Sequence, residues 1–121
     1  MNPINQSLLF VIGATPFNPS ARDALDAVLV AAAFQQTISV LFIQSGIYQL
    51  MTDQQPNLLQ ARNLAASWRA LPLYDVNQIY VCESSLVQYK IQAEQLVMPV
   101  KVLSVVAIQN LMQEQHAVFN Y

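Results

Sequence analysis

The stretch that decides the fold is Leu73-Tyr74-Asp75-Val76-Asn77-Gln78-Ile79-Tyr80-Val81-Cys82-Glu83-Ser84-Ser85-Leu86. Residues 78 to 81 carry the Ile, Tyr and Val that suit a pleated, half-buried surface, so they are predicted to form a strand. The run ends on Cys82, the only cysteine of the chain. Glu83, Ser84 and Ser85 then open a helix toward Leu86 and Val87. A cysteine between the carboxyl end of a strand and the amino end of a helix sits where α/β sheets usually place their chemistry. Unpaired backbone N–H groups at such a helix start favour a thiolate. The plainer reading is a buried, inert thiol, since free cysteine is among the most buried residue types. Both readings of Cys82 stand at this point.

Outward from this stretch, strand and helix signals alternate. Residues 8 to 12 (Leu-Leu-Phe-Val-Ile) form a continuous apolar run, the mark of a strand covered on both faces. A loop with Pro16 and Pro19 follows, and Ser20 is placed to cap a helix over residues 21 to about 35. Asp23 and Asp26 fall in its early turns, where negative charge suits the helix dipole. From Ala27 to Phe34 this helix is apolar all the way round, so it is expected to be covered on every side. In a chain of 121 residues its own sheet can cover one side, and a partner must supply the other. A second strand is expected over 37 to 43, then a short helical turn over 47 to 51. Residues 52 to 56 read as a polar loop. The spacing of Leu58, Ala61, Leu64, Ala65, Trp68 and Leu71 predicts a helix over 57 to 71, with Gln60, Asn63 and Ser67 opposite. Trp68 lies on the apolar stripe and is read as core, and Pro72 as the helix stop. After Cys82 a helical segment runs to about Lys90. Residues 92 to 98 fit no one pattern. A half-exposed strand over 100 to 103, a helix capped by Ser104 and a terminal β-like run over 116 to 121 complete the chain. The pattern predicts a single domain over 1–121, a three-layer α/β/α fold around a mostly parallel five-stranded sheet.

Composition narrows the function classes. Hydrophobic residues make up 55% and charged residues 10% of the chain, against a charged norm of about 25%. Interface cores are depleted in charge in the same way, which points to an obligate oligomer rather than a lone monomer. Net charge is −2, and the five cations, Arg22, Arg62, Arg69, Lys90 and Lys101, are scattered. Without a basic stripe, direct nucleic-acid binding is disfavoured. The apolar run Ala27 to Phe34 is far short of the roughly 20 residues that span a bilayer, and no Lys or Arg precedes residues 8 to 12, so neither a membrane span nor a signal peptide is expected. The cytoplasm is the expected compartment.

The two glycines, Gly13 and Gly46, leave no phosphate-cradling loop, so no nucleotide cofactor is expected. One cysteine and one histidine, distant in sequence, do not form a metal site. Nor is there a Gly-x-Ser-x-Gly elbow. His116 is read as an exposed helix terminus and Asp75 as a turn residue. Thiol chemistry at Cys82 is the catalytic candidate that remains.

The segments Ala21-Arg22-Asp23-Ala24-Leu25-Asp26-Ala27, Phe42-Ile43, Gly46-Ile47-Tyr48-Gln49-Leu50, Ala61-Arg62, Leu73-Tyr74-Asp75 and Val81-Cys82 give the chain a further dimension. In that order and spacing it resembles the TusC, or DsrF-like, branch of the DsrE/DsrF/DsrH sulfur-relay family over nearly its whole length. The resemblance implies a DsrE/F-like parallel α/β fold. It also implies a cytoplasmic heterohexamer, with two copies each of TusB-, TusC- and TusD-like chains. Such an assembly passes persulfide sulfur from a TusA-like donor toward a TusE-like acceptor and ends in 2-thiolation of the tRNA wobble uridine. In that family the essential persulfide cysteine belongs to the TusD-like sister, and Cys82 occupies the equivalent strand end. This implies a non-catalytic subunit, with two alternatives: a persulfide-carrying subunit that uses Cys82, or a DsrF-like subunit in dissimilatory sulfur oxidation. In one place the chain departs from the family: an Arg-rich, Gly-terminated segment is replaced here by Val87-Gln88-Tyr89-Lys90-Ile91. With Glu83 adjacent and Lys90 the nearest cation, charge alone leaves the direction of the thiol's shift open.

Overall fold

A computed structural model describes residues 6–51 and 59–121. Its strands are β1 (Ser7–Ile12), β2 (Thr37–Phe42), β3 (Gln78–Cys82), β4 (Lys101–Leu103) and β5 (Ala117–Asn120). All neighbours are parallel and the order is β4-β3-β2-β1-β5. The helices are α1 (Pro19–Ala33), α2 (Leu59–Arg69), α3 (Glu83–Tyr89) and α4 (Val105–Gln113). The expected five-stranded parallel α/β architecture is therefore present. Residues 1–5, the loop at 52–56 and the helix start at 57–58 lie outside the described residues. Among the described residues no helix is long and apolar enough to cross a membrane.

The continuous apolar runs become the central strands. Leu9 to Ile12 and Ile38 to Phe42 are buried throughout, as strands with helices on both faces require. One face carries the larger core, where Phe10, Val40, Phe42 and Val81 meet Leu25, Val28, Trp68 and Leu86 from α1, α2 and α3. The other face carries a smaller apolar cluster, Leu9, Val11 and Leu41, with Ile108, Leu111 and Met112 of α4 packed against them. Ser104 caps α4 as expected, accepting the Ala107 N–H at 3.2 Å.

Several local readings change. The cap of α1 is Asn18, not Ser20: the Asn18 side chain accepts the Ser20 N–H at 2.9 Å, and Pro19 takes the first helical position. Pro suits that position because its missing N–H would be unpaired there anyway. Asp23 and Asp26 lie beyond the first turn, and Asp26 pairs instead with Arg22 at 3.4 Å. α2 ends at Arg69, and Pro72 opens a 3₁₀ turn (Leu71–Tyr74) rather than stopping the helix directly. The turn after β2 spans Gln44–Leu50. Within the chain α1 is covered on one side only: Ala21, Ala24, Leu25 and Val28 are buried, while Val30 and Phe34 are exposed.

Three helical segments end without glycine. Gln35, Asp75 and Lys90 each adopt the left-handed conformation. Each is followed by a residue whose N–H reaches back across the turn: Gln36 to Ala31, Val76 to Leu71 and Ile91 to Leu86. This is the Schellman closure, usually made with glycine at the left-handed position. Asp75 is thus the turn residue that the sequence suggested.

The two glycines have different reasons to exist. A Cβ on Gly46 would lie 2.1 Å from the Ile12 carbonyl oxygen, so the turn after β2 passes against the end of β1 as only glycine allows. A Cβ on Gly13 would meet its nearest atoms at 3.7 Å, which is ordinary contact. Gly46→Ala is expected to destabilise the fold by about 3 kcal/mol, because the clash is with backbone. Gly13→Ala should stay within about 0.5 kcal/mol; urea unfolding of both variants measures the contrast. Gln49→Leu should cost about 2–4 kcal/mol in the same assay, since it strands the Trp68 indole N–H and the Ala14 carbonyl that Gln49 satisfies in the core.

Candidate functional site

Cys82 is both the last residue of β3 and the residue that caps α3. β2 and β4 flank it, with Leu103 in register beside it. The thiol is buried, 7% exposed. Its sulfur lies 3.2 Å from Ser84 Oγ. Ser85, next along the helix, is also buried, and its hydroxyl accepts the Gln44 N–H at 2.8 Å. Gln44 itself is left-handed, with φ 49°, so this bond fixes the exit of β2 against the start of α3. The loop ends of two adjacent strands are tied together around the sulfur.

Burial pushes the Cys82 thiol up, but four hydrogen bonds oppose it: the hydroxyls of Ser84 and Ser85 and the backbone N–H groups of the same two residues. The net result lies below the usual thiol value. The direction left open by charge is thus settled by neutral donors at the first turn of the helix. Ser84 and Ser85 register in the sequence as helix-start residues; their proximity to the sulfur follows from their spacing two and three residues after it. The site is a small, polarised, mostly enclosed thiol.

No proton-transfer partner joins it from the other candidates. His116 is not a helix terminus: α4 ends before it, and its Nδ1 accepts the Ser7 N–H at 2.9 Å while its backbone N–H donates to the Ser7 carbonyl at 2.8 Å. Ser7 begins β1, so His116 stands at the amino edge of the sheet and Cys82 at the carboxyl edge. The imidazole closes the β1–β5 ladder and does no chemistry with the thiol. Lys90 sits at the far end of α3. There it lines a groove of about 490 Å³ together with Glu83, Leu86, Val87 and Ile91, which Cys82 does not line. Trp68 is fully buried, its ring edge-on to Phe42 at 5.1 Å, so it belongs to the core.

Removing the Ser84 hydroxyl should move the thiol's titration upward. In Ser84→Ala, the pH profile of iodoacetamide alkylation at Cys82 is expected to shift its midpoint to higher pH, so that less thiolate is present at any given neutral pH. An unchanged midpoint would mean that the Ser85 hydroxyl and the backbone amides hold the thiolate without Ser84 Oγ.

Comparison with known proteins agrees with this architecture. The DsrE/DsrF-like family model matches residues 6–121. A "Protein TusC homolog" of Pseudomonas aeruginosa is 38% identical over 111 residues, covering 91% of this chain and 93% of that protein. A second "Protein TusC homolog", from Vibrio parahaemolyticus, is 32% identical over 108 residues, covering 88% and 92%. Among solved structures, the YchN protein of E. coli superimposes with a TM-score of 0.77 over 96% of this chain and 99% of that chain. At 12% identity it speaks for the fold alone. With the strand order and these matches in agreement, the chain belongs to the DsrE/DsrF-like family.

Proposed function

We propose that this chain is a non-catalytic, structural subunit of a TusBCD-type sulfurtransferase heterohexamer in the cytoplasm. It docks among TusB-like and TusD-like sisters, in an assembly that carries persulfide sulfur from a TusA-like donor to a TusE-like acceptor for 2-thiouridine formation at the tRNA wobble position. The observation that carries this reading is an apolar surface the chain does not cover itself. On the outer side of the helical layer, Val30 and Phe34 of α1 are 58% and 69% exposed, and Leu73 and Tyr74 are 84% and 55% exposed. α1 packs beside the turn that holds Leu73 and Tyr74. Burying a large apolar side chain contributes about 1.5–3 kcal/mol, so side chains left this exposed favour association. The matched relatives, both TusC homologs, make sister subunits the natural cover.

Co-expressed with its sisters, the chain is expected to purify as a complex well above monomer mass. The double change Val30→Asp, Phe34→Asp should lower its recovery in that complex by about tenfold or more, with the circular dichroism of the isolated chain unchanged. A well-behaved monomer that ignores its sisters would end the proposal. In this reading Cys82→Ser leaves cellular thiouridine content intact.

The depressed thiol favours a second reading, in which Cys82 itself carries a persulfide. Mass spectrometry after incubation with a sulfur donor decides: a gain of one sulfur atom on the wild type, absent from Cys82→Ser, together with lost thiouridine in that variant, would replace the structural reading.

A further inference from the structure

The unequal cover of the sheet leaves a second surface with a different chemistry. On the face that carries α4, the larger part of the apolar contact is around β1 and β2. Toward β4 the same face turns polar. Register sets Ser39 beside Gln78 and Tyr80 beside Lys101, and strand alternation puts Gln78 and Tyr80 on one side. Here an open cavity of about 440 Å³ is lined by residues 77–80 of β3 and its approach, among them Gln78, Ile79 and Tyr80, and by Pro99, Val100 and Lys101.

Hydrogen bonding gives this cavity a polarity. Ser39 Oγ donates to Gln78 Oε1 at 3.0 Å and Tyr80 Oη donates to the same oxygen at 3.2 Å. With its oxygen taken twice, the exposed Gln78 amide has its two N–H donors left to offer a ligand. Lys101, exposed at the start of β4, adds three more donors and a full charge. No acidic residue lines the cavity, and among the described residues Lys101 has no carboxylate within ion-pair distance. The lining is donor-rich and its positive charge is uncompensated.

We propose that this strip over β3 and β4 receives a carboxylate-bearing segment of a protein partner, with an Asp or Glu side chain accepting from Lys101 Nζ and the Gln78 amide. A carboxylate matches the lining because it is acceptor-only and can take two donors at once. A nucleic-acid phosphate matches it poorly: one cation on a chain of net charge −2 releases too few counterions to hold a polyanion. A free small acid also matches poorly, since a lone exposed ion pair contributes little. The carboxylate is therefore delivered by a surface that also covers the neighbouring apolar residues Val105 and Val106 at the start of α4, both exposed. The inference rests on the docking role proposed above and assigns one contact within it.

Two measurements test it. In the co-expressed complex, Lys101→Gln should weaken association by about tenfold and Lys101→Glu should abolish it, because like charges juxtaposed at an interface are strongly unfavourable. Association of the wild type should weaken with salt, and that dependence should flatten in Lys101→Gln. If the wild type assembles and the Lys101 variants assemble equally well, this inference is overturned while the docking role stands. If the wild type joins no sister, the docking role fails and the second measurement decides alone. There the isolated chain is titrated with a capped hexaglutamate peptide and followed by amide NMR. Saturable shifts at residues 77–80 and 99–101, lost in Lys101→Gln, support the site. No shifts, or the same shifts from inorganic phosphate or an RNA oligonucleotide at lower concentration, overturn it. Self-association of isolated Lys101→Gln without peptide shifts in the wild type also overturns it, because Lys101 would then be a guard against edge-strand pairing.

Discussion

One buried amide organises the carboxyl end of the sheet. Gln49 is fully enclosed, and both ends of its side chain are used: Nε2 donates to the Ala14 carbonyl at 2.7 Å and Oε1 accepts the Trp68 indole N–H at 2.9 Å. The loop after β1, the turn after β2 and helix α2 are thereby pinned to one point in a dry interior, where an unmade bond is expensive. The same turn begins at Gln44, whose N–H is held by Ser85, and Ser85 stands beside the Cys82 thiol. The position of the sulfur is thus set by a chain of contacts that starts in the core and ends at the surface of the sheet's carboxyl edge. Gly46 completes it by letting the turn lie directly on the Ile12 carbonyl.

Much of this fold can be read from the residues in order. Doubly covered strands have to be apolar on every residue, so β1 and β2 stand out, and the period of Ala61, Leu64, Ala65, Trp68 and Leu71 gives α2 its inner face. What escaped was decided by choices between equally plausible neighbours or by partners distant in the chain. Asn18 and Ser20 are both good caps, and only the placement of Pro19 selects the first. His116 looks like the tail of a helix until Ser7, at the other end of the protein, supplies both of its hydrogen bonds. The position of Cys82 is legible, because a strand-to-helix change is a local event. The direction of its thiol shift is not, because charge was the signal available and neutral hydroxyls supply the effect.

The surface divides by chemistry as well as by place. The outer helical side exposes Val30 and Phe34 at the carboxyl end of α1, beyond the Arg22–Asp26 pair, and these apolar side chains are suited to burial by a partner. The β3–β4 strip on the other face is polar and cationic, suited to choosing a partner and setting its register. A chain with 10% charged residues has few such groups to spend, so the placing of Lys101 on an otherwise acid-free strip carries more weight than a surface lysine normally would. In the docking role proposed above, the two surfaces divide the work of association between them.

The pairing of β1 with β5 has a temporal side. Ser7 and His116 are joined across a separation of 109 residues, and Phe10 stacks on Phe119 at 5.2 Å. During synthesis β1, α1, β2 and β3 are all available before β5 emerges, so the apolar flank of β1 waits open while most of the domain is already on hand. Long-range parallel pairing is slow to close, and an unpaired edge is open to the wrong neighbour. The last strand thus acts as a closing seam, and the nascent chain is most exposed to misassociation in the interval before it is sewn.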